Sequence, residues 1–341
     1  RFVSTASGDN LRRIWDFGDG NVSREQHPRH TYAAPGSYHV SYTVSNAGGS
    51  SAIRQTVTVH AVAQPLSSLS GSVLFVSNRT GNNEIYLMAA DGSQPVNLSN
   101  HPADDRYPSS SPDGHSILFA STRDGGTWDI YSLATDSSDI KRLTDTGNNI
   151  MPARSPDGKR IAFVTDRFGD HDIMVMNADG SRQIQLTVDV TNDISPTWSP
   201  DSSAIAYVSE TAGDRDIFVM DVSIDASRGP RIFTLTAEAA DNYDPAWLHD
   251  SSKSLLAFTT TRFGNEELML VNPLDGSNLQ RVTAIASNER QPAWSADGDW
   301  IAFVSDRDDG GASNIYRIRT DGSRLSRLTP DGSSEFDPDW H

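Results

Sequence analysis

Six residues able to do chemistry recur at one place in this chain. Asp105, Asn149, Asp193, Asn242, Glu289 and Glu335 each stand three positions before a proline, at Pro108, Pro152, Pro196, Pro245, Pro292 and Pro338. Each offers a carboxylate or amide oxygen, the donor type that hard cations and Lys or Arg side chains accept. The neighbours Asp104, Asn148, Asn192, Asp241 and Asn288 repeat the theme, against few bases such as Arg106 and Arg290. If one such residue per repeat converges on a common axis, the ring focuses negative potential at a mouth. The expected ligand is then a protein partner with a basic or cationic segment. Ca²⁺ is an optional occupant and no cofactor is required, because six residues around a wide ring do not all reach one ion. A structural alternative stands beside this reading: short Asp and Asn side chains also cap backbone N–H groups in loops.

Other chemistry is not written in the sequence. It has no GxSxG nucleophile elbow, no HExxH pair and no P-loop, and His101, His115, His171 and His249 occur singly. A metal-assisted polysaccharide lyase needs histidines that converge, so a non-catalytic protein is expected. Zero cysteines exclude disulfides and thiolate metal sites. The formal net charge of -17 is uneven, with residues 1–71 near +2 and residues 72–341 near -19. So acidic a body repels phosphate backbones, which argues against nucleic acid as a partner. No run approaches the roughly 18 apolar residues of a membrane span; SLLAF at 254–258 is among the longest. A glycan is the alternative ligand, and Tyr107, Trp128, Phe168, Tyr243 and Phe263 are the aromatic side chains a sugar platform would use. Arg79, Arg123, Arg167, Arg262 and Arg307 are each followed by an acid or amide: Glu84, Asp129, Asp172, Glu267 and Asn314. The fourth copy has Thr211 and Asp216 instead. These read as structural pairs across hairpins.

The elements that must position these residues follow from the repeat. The prolines are separated by 44, 44, 49, 47 and 46 residues, the period of a stacked supersecondary unit. Within a unit, IAFVTDR, DIMVMN and RQIQLT alternate as strands between the turns FGDH and ADGS, and the Pro-led segment opens a fourth strand. Proline is tolerated there if it is a strand's first residue. Six IAF-type strands, beginning with VLF at 73–75, predict six blades. The first lacks its leading strand, and the chain ends in FDPDW, a leading strand with nothing after it. The C-terminal strand is therefore expected to close the ring. Strand order puts the crossings and second-strand turns on one face, the top, and the SPDG and ADGS turns on the other.

Residues 1–62 are different: RIWDF, SYHVSYTVS and QTVTVHAV are short alternating strands separated by turn residues. The motifs Trp15-Asp-Phe-Gly-Asp-Gly20, His30-Thr-Tyr32 and Pro35-Gly-Ser-Tyr38 resemble the PKD (polycystic-kidney-disease) domain. That resemblance implies a small Ig-like β-sandwich used as a spacer or adhesion module outside cells. Its usual first strand is missing, so the reading expects a larger protein or assembly. Asp16 and Asp19 are read as turn acids. Residues 63–71, AQPLSSLSG, are expected to be a short linker. The copies over 72–341 resemble TolB-like six-bladed β-propellers through PxWSPDGxxIAF, DIYxM and the xxDGS turn. This implies an extracytoplasmic all-β protein with a partner docked at the propeller's top mouth.

Overall fold

The computed structural model describes residues 3–4, 6, 11–30, 32, 36–59, 71–135, 139–211, 213–223, 231–237, 239–250, 252–308, 312–329 and 332–341. All its described regular elements are strands. The chain divides into two units, Arg1–Val62 and Ala63–His341. The expected linker lies outside the described residues except for Gly71.

In the first unit the described strands form one antiparallel sheet. Val22–Ser23, Arg12–Asp16, Gly36–Asn46 and Gly49–Val59 lie side by side in that order. Trp15, Phe17, Val40 and Tyr42 are its buried core, and Trp15 stacks on Tyr42 with ring centroids 4.2 Å apart. The second sheet of a sandwich is not among the described residues. Asp16 and Asp19 act as turn acids: they accept hydrogen bonds from the N–H groups of Gly18 at 3.0 Å and Asn21 at 3.1 Å. Gly18 is required there, because it sits at φ +78 and a Cβ would fall 2.8 Å from the His39 backbone.

The second unit holds six four-stranded antiparallel sheets among the described residues, here blades 1–6 in chain order. The two middle strands of a blade are buried on both faces; Val73–Ser77 and Glu84–Met88 are buried throughout. Their alternation therefore sorts side chains between neighbours, not between core and solvent. In blade 3, Ile161 and Phe163 face blade 2 residues such as Leu118 and Ile130, while Ala162 and Val164 face Trp198 and Tyr207 of blade 4. Six such apolar clusters fill the spaces between successive blades, including blade 6 against blade 1.

The innermost strands begin three residues before the prolines, as in Asp105–Ser110 and Asp193–Trp198. Proline is thus inside the strand, not at its start as the sequence reading assumed. It is tolerated because all six innermost strands carry a β-bulge at that point. The residue before each proline takes a left-handed conformation, with φ between 49 and 56 at Tyr107, Met151, Ser195, Asp244, Gln291 and Asp337.

The strand Glu335–Trp340 pairs with Val73–Ser77, so the C-terminus supplies the innermost strand of blade 1. The seam is fastened by Gly71 N–H to His341 O at 3.1 Å, His341 N–H to Ser72 O at 2.9 Å and Trp340 Nε1–H to Gly71 O at 3.0 Å. Truncation after Gly332 removes this strand and exposes the edge of Val73–Ser77. The truncated chain is expected to melt well below the full chain with a broadened transition, as calorimetry would show; an unchanged melting temperature would contradict strand closure.

Candidate functional site

The six residues singled out by the repeat do not line a mouth. Asp105, Asn149, Asp193, Asn242, Glu289 and Glu335 are each at most 1% exposed, tucked where a crossing enters the innermost strand. Five of them have a partner on or just after the next strand of the same blade, and Asn149 and Asn242 also reach the preceding blade. Arg123 binds Asp105 at 3.0 Å, Arg307 meets Glu289 at 3.1 Å and Arg79 meets Glu335 at 2.9 Å. The Arg167 guanidinium donates to Asn149 Oδ1 at 2.9 Å, and Thr260 donates to Asn242 at 2.8 Å. The arginines therefore reach back to the innermost strand instead of across their own hairpins, as the sequence suggested. The acids after those hairpins bind the outer strand: Glu267 meets Arg281 at 2.7 Å and Asp129 meets Arg142 at 2.5 Å. The preceding residues are backbone caps; Asp104 accepts from Asn83 N–H at 2.9 Å and Asn192 from His171 N–H at 3.2 Å. Among the described residues no arginine meets Asp193, and burial pushes its carboxyl up to about 6.

The side chains gathered round the axis are those immediately before the prolines. Tyr107, Met151, Ser195, Asp244, Gln291 and Asp337, with the six prolines, line an axial cavity of about 180 Å³. Left-handed backbone at a non-glycine residue costs roughly 1–3 kcal/mol. Glycine would relieve the strain, yet would leave the axis without side chains. The ring is polar on one side. Gln291 Nε2 donates to Asp337 at 2.6 Å, the Gln291 backbone N–H donates to Asp244 at 3.2 Å, and Asp337 N–H returns a bond to Gln291 Oε1 at 3.0 Å. Tyr107, Met151 and Ser195 form the neutral side.

Two neighbouring carboxylates beside this cavity cannot both ionise freely. Burial, then the charge of Asp337, pushes Asp244 up to about 7. Asp337 is raised by burial although Arg106 opposes the shift from 3.5 Å. The other bases of this rim are also paired: Arg215 with Asp241 at 2.9 Å and Arg290 with Glu266 at 3.1 Å. One side of the axial cavity is thus lined by an acidic pair held above the ordinary carboxylate range.

The remaining expected site residues are scattered. Tyr243 is buried with its hydroxyl on Glu266, and Trp128 packs against the cluster between blades 2 and 3. Phe168 and Phe263 are exposed, and Arg281 covers the Phe263 ring at 3.9 Å. These five aromatics form no common platform for a sugar. Among the described residues no three His, Asp or Glu side chains stand close enough to hold a metal ion. A larger cavity of about 750 Å³ lies on the far side of the proline ring, lined by Trp247, Trp294, His249 and Arg154 among others. It opens toward the SPDG-type turns, on the face opposite the crossings. The axial ring itself was missed because in a regular strand the residue three before proline leads the element; the bulge turns the residue next to proline toward the axis.

Asp244 sets a pH dependence. Its folded-state carboxyl is raised to about 7, with Asp337 and Glu266 raising it and Arg215 and the Gln291 N–H opposing. The folded chain holds this proton more tightly than the unfolded chain, so the contribution is full below the ordinary carboxylate range and is lost as pH rises through about 7. Asp244→Asn should melt above the wild type at pH 8, by roughly 2–4 °C for each kcal/mol relieved, with the gap narrowing at pH 5 and closing only as pH falls to the ordinary carboxylate range. A difference that does not change with pH would contradict the buried-acid reading.

Comparison with known proteins accords with this architecture. Residues 50–149, 145–237 and 231–341 match the TolB beta propeller domain family, and residues 1–61 match the PKD domain. The Tol-Pal system protein TolB of Desulfosudis oleivorans is 33% identical over 88 residues, which is 26% of this chain and 19% of that protein. The chain therefore spans about a fifth of the length of that curated relative. The crystal structure of TolB from Acinetobacter baumannii superposes with a TM-score of 0.67 at 19% identity, covering 91% of this chain and 80% of that one. A putative TolB from Agrobacterium tumefaciens gives 0.59 at 22% identity, covering 76% and 88%. With six sheets joined through inter-blade cores, and matches over most of its length, the chain belongs to the TolB beta propeller domain family and carries a PKD domain ahead of the propeller.

Proposed function

We propose that this chain is a non-catalytic binding module of the extracytoplasmic space, which takes a basic segment of a protein partner at the axial mouth of the propeller. The observation that carries this is the strained ring before the prolines: six side chains held round one axis, with Asp244 and Asp337 joined through Gln291. Strain maintained at six equivalent positions is costly unless the side chains it presents are used. A Lys or Arg side chain entering the cavity would relieve the repulsion between the two carboxylates and draw both into the ionised form. The PKD unit serves as a spacer or adhesion domain. A relative named as a component of the Tol-Pal system supports a protein partner over a small substrate. No helix among the described residues is long and apolar enough to cross a membrane. A glycan ligand has less support, since the exposed aromatics Phe168 and Phe263 belong to different blades.

The test is capture of the native partner from a surface or envelope extract, followed by binding kinetics with purified components. Asp244→Lys is expected to weaken binding at least about tenfold and to remove most of its salt dependence. Partner binding with the same rate and salt slope in Asp244→Lys would overturn the axial assignment.

A further inference from the structure

Crossings between blades set a polar side chain of the third strand of one blade near the polar side chain that opens the innermost strand of the next. Asn149 Nδ2 lies 3.2 Å from Asp129 between blades 2 and 3, and Asn242 Nδ2 lies 3.4 Å from Asp216 between blades 4 and 5. Where the second residue is a carboxylate, the chain supplies a guanidinium: Arg123 for Asp105, Arg307 for Glu289 and Arg79 for Glu335. The crossing from blade 3 to blade 4 departs from this rule. Asp193 is 1% exposed, and among the described residues its carboxylate oxygens accept no hydrogen bond of good geometry, only weaker approaches from the Ser209 and Thr187 hydroxyls. Thr211 stands at the sequence position of the missing arginine. On the outer strand, where blades 2, 5 and 6 place Arg142, Arg281 and Arg327, blade 3 has Gln185, which donates to Asp172 at 3.0 Å.

Asp172 and Asp193 are therefore a buried acidic pair, and the charges acting on them come from Asp170 and Asp189, which are also acidic. An uncompensated buried carboxylate is costly, and at every other crossing that has an innermost carboxylate the fold answers with a cation. We propose that the crossing between blades 3 and 4 is a site for a hard divalent cation of the calcium class, with Asp193 and Asp172 as its anionic ligands. All the available donors are oxygens, including the hydroxyls of Thr187 and Ser209, a set that suits calcium. No third acidic side chain is close enough to join them, so water completes the shell and the affinity falls in the range of extracellular modules, roughly 10⁻⁴–10⁻³ M. The covering segment is itself open to solvent, with Val188 78% and Val190 94% exposed. The near-complete burial of Asp193 favours a small ion over a side chain inserted by a partner.

The experiment titrates CaCl₂ into the chelator-treated full chain, read by calorimetry and by melting temperature. Binding of one ion and a rise of about 3–8 °C at 10 mM are expected for the wild type. Asp193→Asn, which copies Asn149 and Asn242 of the flanking blades, should lose both effects. Thr211→Arg should also lose them and, without calcium, melt at least as high as the wild type. Asp321→Asn, a charge control at an exposed bottom turn, should behave as the wild type. Absence of binding in the wild type, or undiminished binding in Asp193→Asn and Thr211→Arg, would overturn the proposal. Stabilisation by Thr211→Arg together with a wild type indifferent to calcium would overturn it too.

Discussion

Both faces of every middle strand in the propeller are apolar, so no blade can exist with a face uncovered. Only another blade can cover it, and the covering blade has the same requirement on its far side. The demand ends when the last face meets the first, which is why blade 6 packs on blade 1 through Ala302, Val304, Val73 and Phe75. The same demand makes the C-terminal strand indispensable: Trp340 completes that cluster and reaches Gly71 through its indole N–H. Stability here is a property of the ring more than of any one blade.

The crowded crossings at the top impose a second constraint. Each carries backbone turns and polar side chains into a region with little water, and burial there is affordable only with partners. Arginines whose guanidinium groups lie over the Phe or Tyr of the middle strands, as Arg123 does over Phe119 and Tyr131 at 5.0 Å, neutralise the entering carboxylates. The aliphatic stem and flat head let one side chain close the apolar core and answer the charge. Blade 4 has Thr211 at that sequence position, and among the described residues Asp193 is the one entering carboxylate without a guanidinium.

The axial ring follows from proline. A residue without an N–H breaks the ladder inside a strand, the bulge absorbs the break, and at that bulge the residue before the proline lies in left-handed backbone. Six repeats of that local event place six side chains round one axis. What those side chains are differs from blade to blade, so one side of the ring is acidic and hydrogen-bonded while the other is neutral.

Architecture was legible in the sequence because it rests on local patterns repeated many times: the proline spacing, the IAF-type strands and the unmatched FDPDW are all visible without coordinates. The turn roles of Asp16 and Asp19 were legible for the same reason, since an Asx turn involves only neighbours two residues away. The site was not. Asp105 and Tyr107 lie two positions apart, and regular strand alternation would put them on one face; a bulge of one residue separates them. Arg123 bonds to Asp105 across eighteen positions rather than to Asp129 across its own hairpin, a choice set by where the innermost strand delivers its first side chain. Sequence by itself determined that six like units form and that each carries an oxygen donor near its proline. Tertiary structure alone decided which donors are buried as counter-charges and which face the axis, because that depends on the direction of a side chain at an irregular point in a strand, and periodicity carries no information there.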